Sequence, residues 1–181
     1  MIVCQISATD YAGGAGRAAH RLGVALRAAG CRSIAVVQHK SRRDAHSIRV
    51  TPRHDTRNPI AERVFQLFAE SLQKAEVEKN RSALSQTIFN LDLTGLDLTD
   101  LLPVLAARII HLHWTSFFQS PYSIARLAAV GVPLVWTLHD LWPLTGGCHY
   151  PAGCAGYETD CTACPQLLDD RLGLPAAMLA E

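Results

Sequence analysis

The sequence lacks a long apolar run, an excess of charge of one sign and a high content of glycine and proline. No stretch approaches the roughly 18 apolar residues that a membrane-crossing helix needs. Lys and Arg number 17 against 16 Asp and Glu, so no overall positive field favours nucleic acid as a partner. The 12 glycines and 9 prolines are too few for a low-complexity chain. With 49% apolar residues in 181, the chain can bury a core, and we expect one domain or two small ones.

The first residues also lack the features of a secretory signal. Residues 1–7 have no basic segment ahead of a long apolar one, and the chain turns polar at Ser7. We therefore expect a cytoplasmic protein, in a compartment where thiols stay reduced. Six cysteines then need an explanation other than disulfides. Cys4 and Cys31 fall in apolar segments and are predicted to be buried thiols, whereas the other four lie within 148–164.

Apolar strand patterns and amphipathic helix patterns alternate in two parts of the chain. The predicted elements are a strand at 1–7, a glycine-rich turn at 12–16, a helix at 17–29 and strands at 33–38 and 108–114, then a helix at 123–130 and a strand at 133–138. Strand–helix–strand units of this length are typical of a parallel sheet. The fold class is therefore α/β, a Rossmann-like parallel sheet flanked by helices.

Residues 39–107 interrupt this alternation. Basic residues predominate in a loop that contains a short predicted strand near 47–50: Lys40, Arg42, Arg43, Arg49, Arg53 and Arg57. A helix is predicted at 60–78, with an apolar stripe expected to pack on the sheet, and shorter elements are predicted at 87–89 and 101–107. Alternatively, this helix and the basic loop contact anionic lipid headgroups at the inner face of a membrane.

The domain prediction follows from these patterns. A Rossmann-like domain is expected over 1–145, with 39–107 inserted into it. An irregular Cys-rich loop is expected over 146–168, and the beginning of a helical or linker segment over 169–181.

The first predicted strand leads into a glycine-rich turn. Ligands of parallel α/β sheets bind beyond the carboxyl ends of the strands. The turn and helix start contain Gly13, Gly14, Gly16 and Arg17. Backbone N–H groups there can bind an anion at a helix N-terminus, and the arginine can add a charged contact. The pattern also fits the loose dinucleotide signature G-x-G-x-x-A, with basic residues at 40–43 suited to a 2′-phosphate. A tight turn that binds nothing is the alternative.

Two other strand ends carry histidines. His113 and Trp114 follow one strand, and His139 and Asp140 follow the next. A histidine in this position can hydrogen-bond a sugar hydroxyl or a carbonyl of a bound ligand. Functional and structural roles both stay open for His113, whereas the adjoining carboxylate favours a functional role for His139. His139 and Asp140 are the predicted catalytic residues, and His113 and Trp114 are predicted to bind substrate. His111 is predicted to be structural, and Trp114 is expected in the wall of a cleft.

Four cysteines crowd together near the end of the chain: Cys148, Cys154, Cys161 and Cys164. Four thiols that include one C-x-x-C pair predict a tetrahedral structural zinc site. A glycine-rich loop with little core of its own would gain folding energy from such a metal. His149 could replace one thiolate. Free reduced thiols and a redox pair are the alternatives.

Longer strings resemble a known family. They are GGAGRAAHRL at 13–22, IHLHW at 110–114, VWTLHDLWPLTGGCHY at 135–150 and CTACPQL at 161–167. In this order they resemble the N-terminal half of family 4 glycosyltransferases of the GT-B type. Within the family, the chain is most similar to bacterial enzymes that build surface polysaccharides of the colanic-acid kind. Residues 40–107 carry little of the resemblance.

The resemblance implies two Rossmann-like domains that face a cleft, with the acceptor held mainly by the N-terminal one and the nucleotide-sugar by the other. Members are generally retaining and need no metal or other cofactor for catalysis. The implied partners are therefore a nucleotide-sugar and a sugar or lipid-linked glycan acceptor. The glycines at 13–16 and Arg17 would line the cleft near the acceptor and the diphosphate. His139 would face the donor sugar, where it can hydrogen-bond the sugar as positive charge develops at the anomeric carbon.

The chain departs from the family because it ends at Glu181 without a second domain and its paired glutamates. We therefore expect this chain alone to be catalytically inactive. Two other functions stay open. An NADP-dependent oxidoreductase would use the glycine turn and bind the reduced cofactor. A non-catalytic, zinc-stabilised interaction module would lose its fold on chelation and have no affinity for sugars.

Overall fold

Five short apolar strands form one parallel sheet in the order β3-β2-β1-β4-β5. The computed structural model describes residues 1–51, 60–84 and 88–180. The strands are β1 Ile2–Thr9, β2 Arg32–His39, β3 Ser47–Arg49, β4 Ile109–Leu112 and β5 Leu134–Trp136. The central β1 pairs in parallel with β2 on one side and β4 on the other. The predicted α/β class is confirmed by this sheet and its flanking helices.

Five α-helices are present in the described part of the chain. They are α1 Gly13–Ala28, α2 Ile60–Lys79, α3 Leu102–Leu105, α4 Pro121–Ala128 and α5 Leu174–Ala180. The start of α4 is well defined, because Ser120 and Ser123 form a reciprocal capping box and Pro121 occupies the first turn. None of the described helices has the length and apolar content that crossing a bilayer requires.

The chain divides into two compact units. The first, here called the sheet unit, comprises 1–59 and 95–139 and contains the sheet with α1, α3 and α4. The second, here called the cysteine unit, comprises 60–94 and 140–181 and contains α2 and α5. The domain boundaries predicted at residues 145 and 168 stay predictions.

The core of the sheet unit lies on one face of the sheet. Cys4, Ile6, Ile110 and Leu112 are fully buried there, against apolar side chains that include Leu127 of α4. Burial raises the pKa of the Cys4 thiol to about 12, as expected for an inert core cysteine. The prediction that Cys31 is also buried is wrong, because it lies at the half-exposed residue that precedes β2.

The opposite face of the sheet is unusually polar. Gln5 and Ser7 of β1 line a cavity of about 20 Å³ together with Ala19 and Gly23 of α1. The helix therefore presents small residues to polar strand side chains. This arrangement places hydrogen-bonding groups beneath α1, close to where β1 ends.

The predicted glycine turn at 12–16 is wrong, because α1 already begins at Gly13. A Cβ atom at Gly16 would lie 2.5 Å from Thr9 Oγ1 and 3.0 Å from the carbonyl carbon of Tyr11. Glycine is therefore needed at 16 for close packing of the helix on the preceding segment. Three residues separate the end of β1 at Thr9 from the start of α1 at Gly13.

Two predictions for residues 39–107 have different outcomes. The helix at 60–78 is confirmed, but its apolar stripe is not packed: the side chains of Val64, Leu67, Phe68 and Leu72 are all more than half exposed. The predicted strand at 87–89 is reduced in the described residues to an isolated bridge between Phe89 and Cys148. Arg53, Arg57 and Thr87 lie outside the described residues.

Candidate functional site

The carboxyl ends of β1, β4 and β5 lie side by side at one edge of the sheet. Ile6, Leu112 and Trp136 are neighbours in register across the three strands. Backbone hydrogen bonds continue the pairing beyond the strands, from His113 N to Ile6 O at 2.9 Å and from Thr137 N to Leu112 O at 2.9 Å. The structure thus brings together the segments that carry His113 and His139, which are 26 residues apart in the chain.

Three histidines form a row at this edge. The His113 and His139 side chains are hydrogen-bonded, with 3.3 Å between Nδ1 of the first and Nε2 of the second. The ring of His111 stacks on that of His113 with centroids 4.3 Å apart, and its Nε2 is hydrogen-bonded to Thr137 Oγ1 at 2.8 Å. Trp136 adds support, because its indole N–H donates to the His113 carbonyl at 3.0 Å. We call His111, His113 and His139 the histidine row.

The surroundings of His111 and His113 favour their uncharged forms. Burial, with a smaller contribution from the neighbouring His111 and His139, lowers the pKa of His113 to about 3. Burial and the proximity of His139 also lower the pKa of His111. A neutral imidazole has one N–H donor and one acceptor nitrogen, which matches the dual character of a sugar hydroxyl.

Several buried polar atoms near this edge have no hydrogen-bond partner among the described protein atoms. They are the hydroxyls of Ser7, Thr115 and Ser116 and the Nε2 of His113, each on a side chain no more than 3% exposed. Leaving such an atom unpaired costs about 1–3 kcal/mol, so we expect each of them to hydrogen-bond a water molecule or a ligand. Thr115 belongs to the strand end that carries the predicted His113 and Trp114. No sequence motif singled out Ser7 or Ser116.

Trp114 lies half-buried just beyond the histidine row. Its ring packs at a tilt against that of Phe117, with centroids 6.0 Å apart. Phe117 is half exposed and has a φ of 62°, a left-handed conformation that non-glycine residues rarely adopt. Strained residues of this kind are concentrated at ligand-binding edges. Trp114 therefore lies where the predicted cleft wall would be.

The N-terminus of α1 has open backbone donors. The preceding Ala12 provides no side-chain cap, and the first turn contains no acidic residue. A Cβ atom at Gly13 or Gly14 would have no neighbour within 4 Å, so the helix start is accessible. Arg17 is exposed one turn further on. Of the residues predicted to meet an anion, Gly13, Gly14 and Arg17 are therefore accessible, whereas Gly16 is buried against Thr9 and Tyr11.

The basic residues required by the oxidoreductase alternative are largely engaged. The Lys40 ammonium donates to the carbonyls of Asp44 and Ser47 at 2.7 and 2.6 Å. The Arg42 guanidinium lies 3.4 Å from the centroid of the Tyr11 ring. These contacts order the loop that follows β2, and none of them favours a 2′-phosphate.

In the cysteine unit, Asp140 belongs to a buried polar network. Its Oδ2 is 2.6 Å from His149 Nδ1, and its Oδ1 accepts from the backbone N–H of Trp142 at 3.0 Å. The other ring nitrogen of His149 is 2.5 Å from Asn90 Oδ1. The idea that His149 replaces a thiolate is therefore wrong, because both of its nitrogens are engaged elsewhere. Sequence analysis missed Asn90, which no motif singled out.

The four predicted zinc ligands lie around one cavity in the cysteine unit. The cavity measures about 20 Å³, and its lining includes Cys148, Cys154, Cys161 and Cys164. Burial raises the pKa of Cys148 and Cys161, and it raises the pKa of Cys164 to about 11. Raised pKa values disfavour the redox-pair alternative, since the thiolate is the reactive form. Among the described residues, no three His, Cys, Asp or Glu side chains already have the spacing of a formed metal site.

One curated protein shows sequence similarity to part of the chain. A protein of Escherichia coli (strain K12), named as the colanic acid biosynthesis glycosyl transferase WcaC, is 37% identical over 70 residues. The match covers 35% of this chain and 16% of the relative, so the chain aligns with only a small part of that protein's length. No protein-family model and no solved structure matches the chain.

pH dependence of stability is a direct test of the histidine row. An unfolded histidine has a pKa near 6.5, whereas the pKa of buried His113 is about 3. Between pH 7 and 5 the unfolded state therefore binds a proton at this residue, and the folded state does not. The free energy of unfolding should therefore fall as the pH is lowered, by up to about 2 kcal/mol from this residue. Urea unfolding at pH 7 and 5 measures the difference, which should shrink in His113→Asn. The variant His46→Asn, at an exposed position, should keep the wild-type difference in unfolding free energy between the two pH values. Equal pH dependence in all three proteins would show that His113 does not stay unprotonated in the folded state.

Proposed function

We propose that this chain is the acceptor-binding half of a retaining glycosyltransferase of the GT-B type. The enzyme would move a sugar from a nucleotide-sugar to a polysaccharide or lipid-linked acceptor, with no cofactor required for catalysis. The partial similarity to a bacterial glycosyl transferase supports the transferase class. The observation that carries the proposal is the group of buried, unpaired polar atoms at the carboxyl edge of the sheet.

The chemistry of that edge suits a carbohydrate better than an anion. Neutral histidines and serine or threonine hydroxyls both donate and accept hydrogen bonds, as sugar hydroxyls do. We assign Ser7, His113, Thr115 and Ser116 to hydroxyl contacts, with Trp114 as an apolar wall. The accessible start of α1 at Gly13 and Gly14, with Arg17, is assigned to a phosphate or diphosphate group, because a helix N-terminus favours negative charge. The buried Gly16 is assigned to the close packing of the helix start.

His139 is the proposed catalytic residue. Retention without a protein nucleophile depends on stabilising positive charge as the bond to the leaving group breaks, and a hydrogen bond to the donor sugar contributes to this. His113 is a positioning residue in addition to its hydroxyl contact, because it is hydrogen-bonded to the His139 ring. Asp140 is assigned a positioning role as well. Its carboxylate is already hydrogen-bonded to the His149 ring and to the backbone N–H of Trp142.

A binding experiment tests the function. Titration calorimetry of this chain with lipid-diphosphate-linked oligosaccharides should show binding, whereas nucleotide-sugars alone should give no turnover. Gly14→Ala provides a matched variant. The alanine fits without a clash and should raise stability by about 0.5–1 kcal/mol, because glycine is a poor helix former. It should also weaken acceptor binding about 10-fold, since a Cβ atom would stand where the phosphate approaches the backbone.

Three results would contradict this proposal. Turnover of a nucleotide-sugar by this chain would show that it is not half of a divided site. Unchanged acceptor affinity in Gly14→Ala would remove the α1 N-terminus from the site. Binding of reduced NADP with no affinity for glycans would favour the oxidoreductase instead.

A membrane contact is part of the same proposal. The exposed apolar residues Val64, Leu67, Phe68 and Leu72 recur on α2 at intervals of three and four, so they share one face. We assign this face to the headgroup region of the inner membrane, where lipid-linked acceptors reside. Cosedimentation with phosphatidylglycerol vesicles should fall in Phe68→Ser.

A further inference from the structure

The proposed transferase function leaves the four clustered cysteines without a role. They come from three separate points of the loop sequence and nevertheless line one cavity of about 20 Å³. A void of this size holds about one water-sized sphere, or a single metal ion. The remaining lining residues are Gly156, Tyr157, Thr162, Pro165 and Gln166, so no carboxylate or imidazole competes with the sulfur atoms.

Backbone N–H groups are directed at three of the sulfur atoms. Gly156 N lies 3.3 Å from Cys154 Sγ, and Gly146 N lies 3.3 Å from Cys161 Sγ. The backbone of Gln166 donates to the Cys164 side chain. Two of these donors are two residues after the cysteine they serve. Hydrogen bonds of this kind orient ligand atoms and offset the negative charge of a metal–thiolate centre.

The loop that holds these cysteines contains more strain than its own packing explains. Ala152, Cys161 and Ala163 adopt left-handed conformations with φ of 51°, 55° and 52°. Each such residue costs about 1–3 kcal/mol and persists only where other interactions impose it. Every residue between 151 and 165 is described, and Cys161 is the only buried one among them. A hydrophobic core therefore cannot supply the constraint.

We propose that Cys148, Cys154, Cys161 and Cys164 bind one zinc ion, which holds the loop 146–168 in this conformation. Among the described residues, no three His, Cys, Asp or Glu side chains are already placed to hold a metal ion. Because all four cysteines line one cavity, we expect the bound ion to bring their sulfur atoms to the usual Zn–S distance of about 2.3 Å. Four thiols lose their protons to solvent as one Zn²⁺ binds, with no change of oxidation state. Four protein ligands leave no open position, so the site is structural rather than catalytic.

Elemental analysis of the chain, purified in reducing buffer without added metal, tests the proposal. We expect about one zinc per chain, and after exchange with Co²⁺ the absorption of a tetrahedral thiolate complex. Cys154→Ser should reduce retained zinc to near zero, whereas Cys31→Ser, in the sheet unit, should keep it. Comparison of Cys154→Ser with Cys154→His decides between a metal site and a packing role. Because histidine ligates zinc, the Cys154→His protein should retain more metal than the Cys154→Ser protein, although serine is nearly isosteric with cysteine and histidine is bulkier.

The outcomes separate a metal site from a packing role. If the cysteines serve only in packing, serine is the milder replacement at 154 and histidine the more disruptive one. This order of the two variants is the reverse of the one expected for a metal site. Absence of zinc from the reduced wild-type chain, iron in place of zinc, or a disulfide that forms without effect on stability would each overturn the proposal. None of these results depends on sugar binding, so failure here leaves the transferase proposal intact.

Discussion

Replacing His139 by alanine should lower the rate of sugar transfer by about 100-fold or more in protein expressed from its complete reading frame. The expected loss follows from the proposed hydrogen bond between this imidazole and the donor sugar. Thr137 is hydrogen-bonded to His111, whose ring stacks on that of His113, and His113 is hydrogen-bonded to His139, so the His139 ring is held in one orientation before the ligand arrives. Pre-organisation of this kind raises the contribution of a single donor, because no reorganisation is needed during the reaction.

The rate constant and the acceptor affinity should respond differently. His139→Ala is expected to reduce kcat while the acceptor dissociation constant changes little, because the acceptor contacts are assigned to His113, Thr115 and Ser116. His46→Ala, an exposed histidine in the same unit, is the matched control and should be indistinguishable from wild type. A kcat within a few-fold of wild type in His139→Ala would remove this residue from the catalytic machinery.

Replacing Gly146 by alanine should destabilise the cysteine unit by about 3 kcal/mol or more. A Cβ atom there would lie 2.7 Å from the carbonyl carbon of Pro175 and 2.9 Å from its Cα. These are backbone atoms of α5, which cannot rotate away as the end of a flexible side chain would. The added methyl must therefore displace either α5 or the backbone N–H that donates to Cys161 Sγ.

Urea unfolding measures this effect, and Gly153→Ala is the control. Gly153 has a φ of 86° but open space around its Cβ position, so alanine there introduces strain without a collision. It should cost about 1–2 kcal/mol. If Gly146→Ala is no more damaging than Gly153→Ala, the close approach of α5 to residue 146 is not a stability determinant.

The local elements were largely predictable because each is encoded by its own apolar pattern. The strands around Ile6, Val36 and Ile110 are β-branched and apolar, and they were expected within a few residues of where they occur. The parallel arrangement followed from the strand–helix–strand order. The four clustered cysteines were also visible by spacing. In each case, residues close together in the chain determine the result.

The start of α1 was not predictable in the same way. Local preference predicts a turn for Gly13 to Gly16, since glycine disfavours helices. In the structure the need for glycine at 16 arises from contact with Thr9 and Tyr11, which a helix-propensity argument does not consider. For α2 the reverse holds, because its periodic apolar stripe predicts burial and yet Phe68 is 61% exposed.

By itself, the sequence determined the α/β class, the positions of the core strands and the crowding of thiols near its end, because these depend on short-range patterns. The order of strands and helices also predicted that the strand ends carrying His113 and His139 converge, but only the tertiary structure decided which side chains are in contact there. His113 and His139 meet because β4 and β5 pair in parallel, and Ser7 and Thr115 matter because burial leaves their hydroxyls unpaired. Proximity and desolvation are properties of residues far apart in the chain, and no local pattern of residues specifies them.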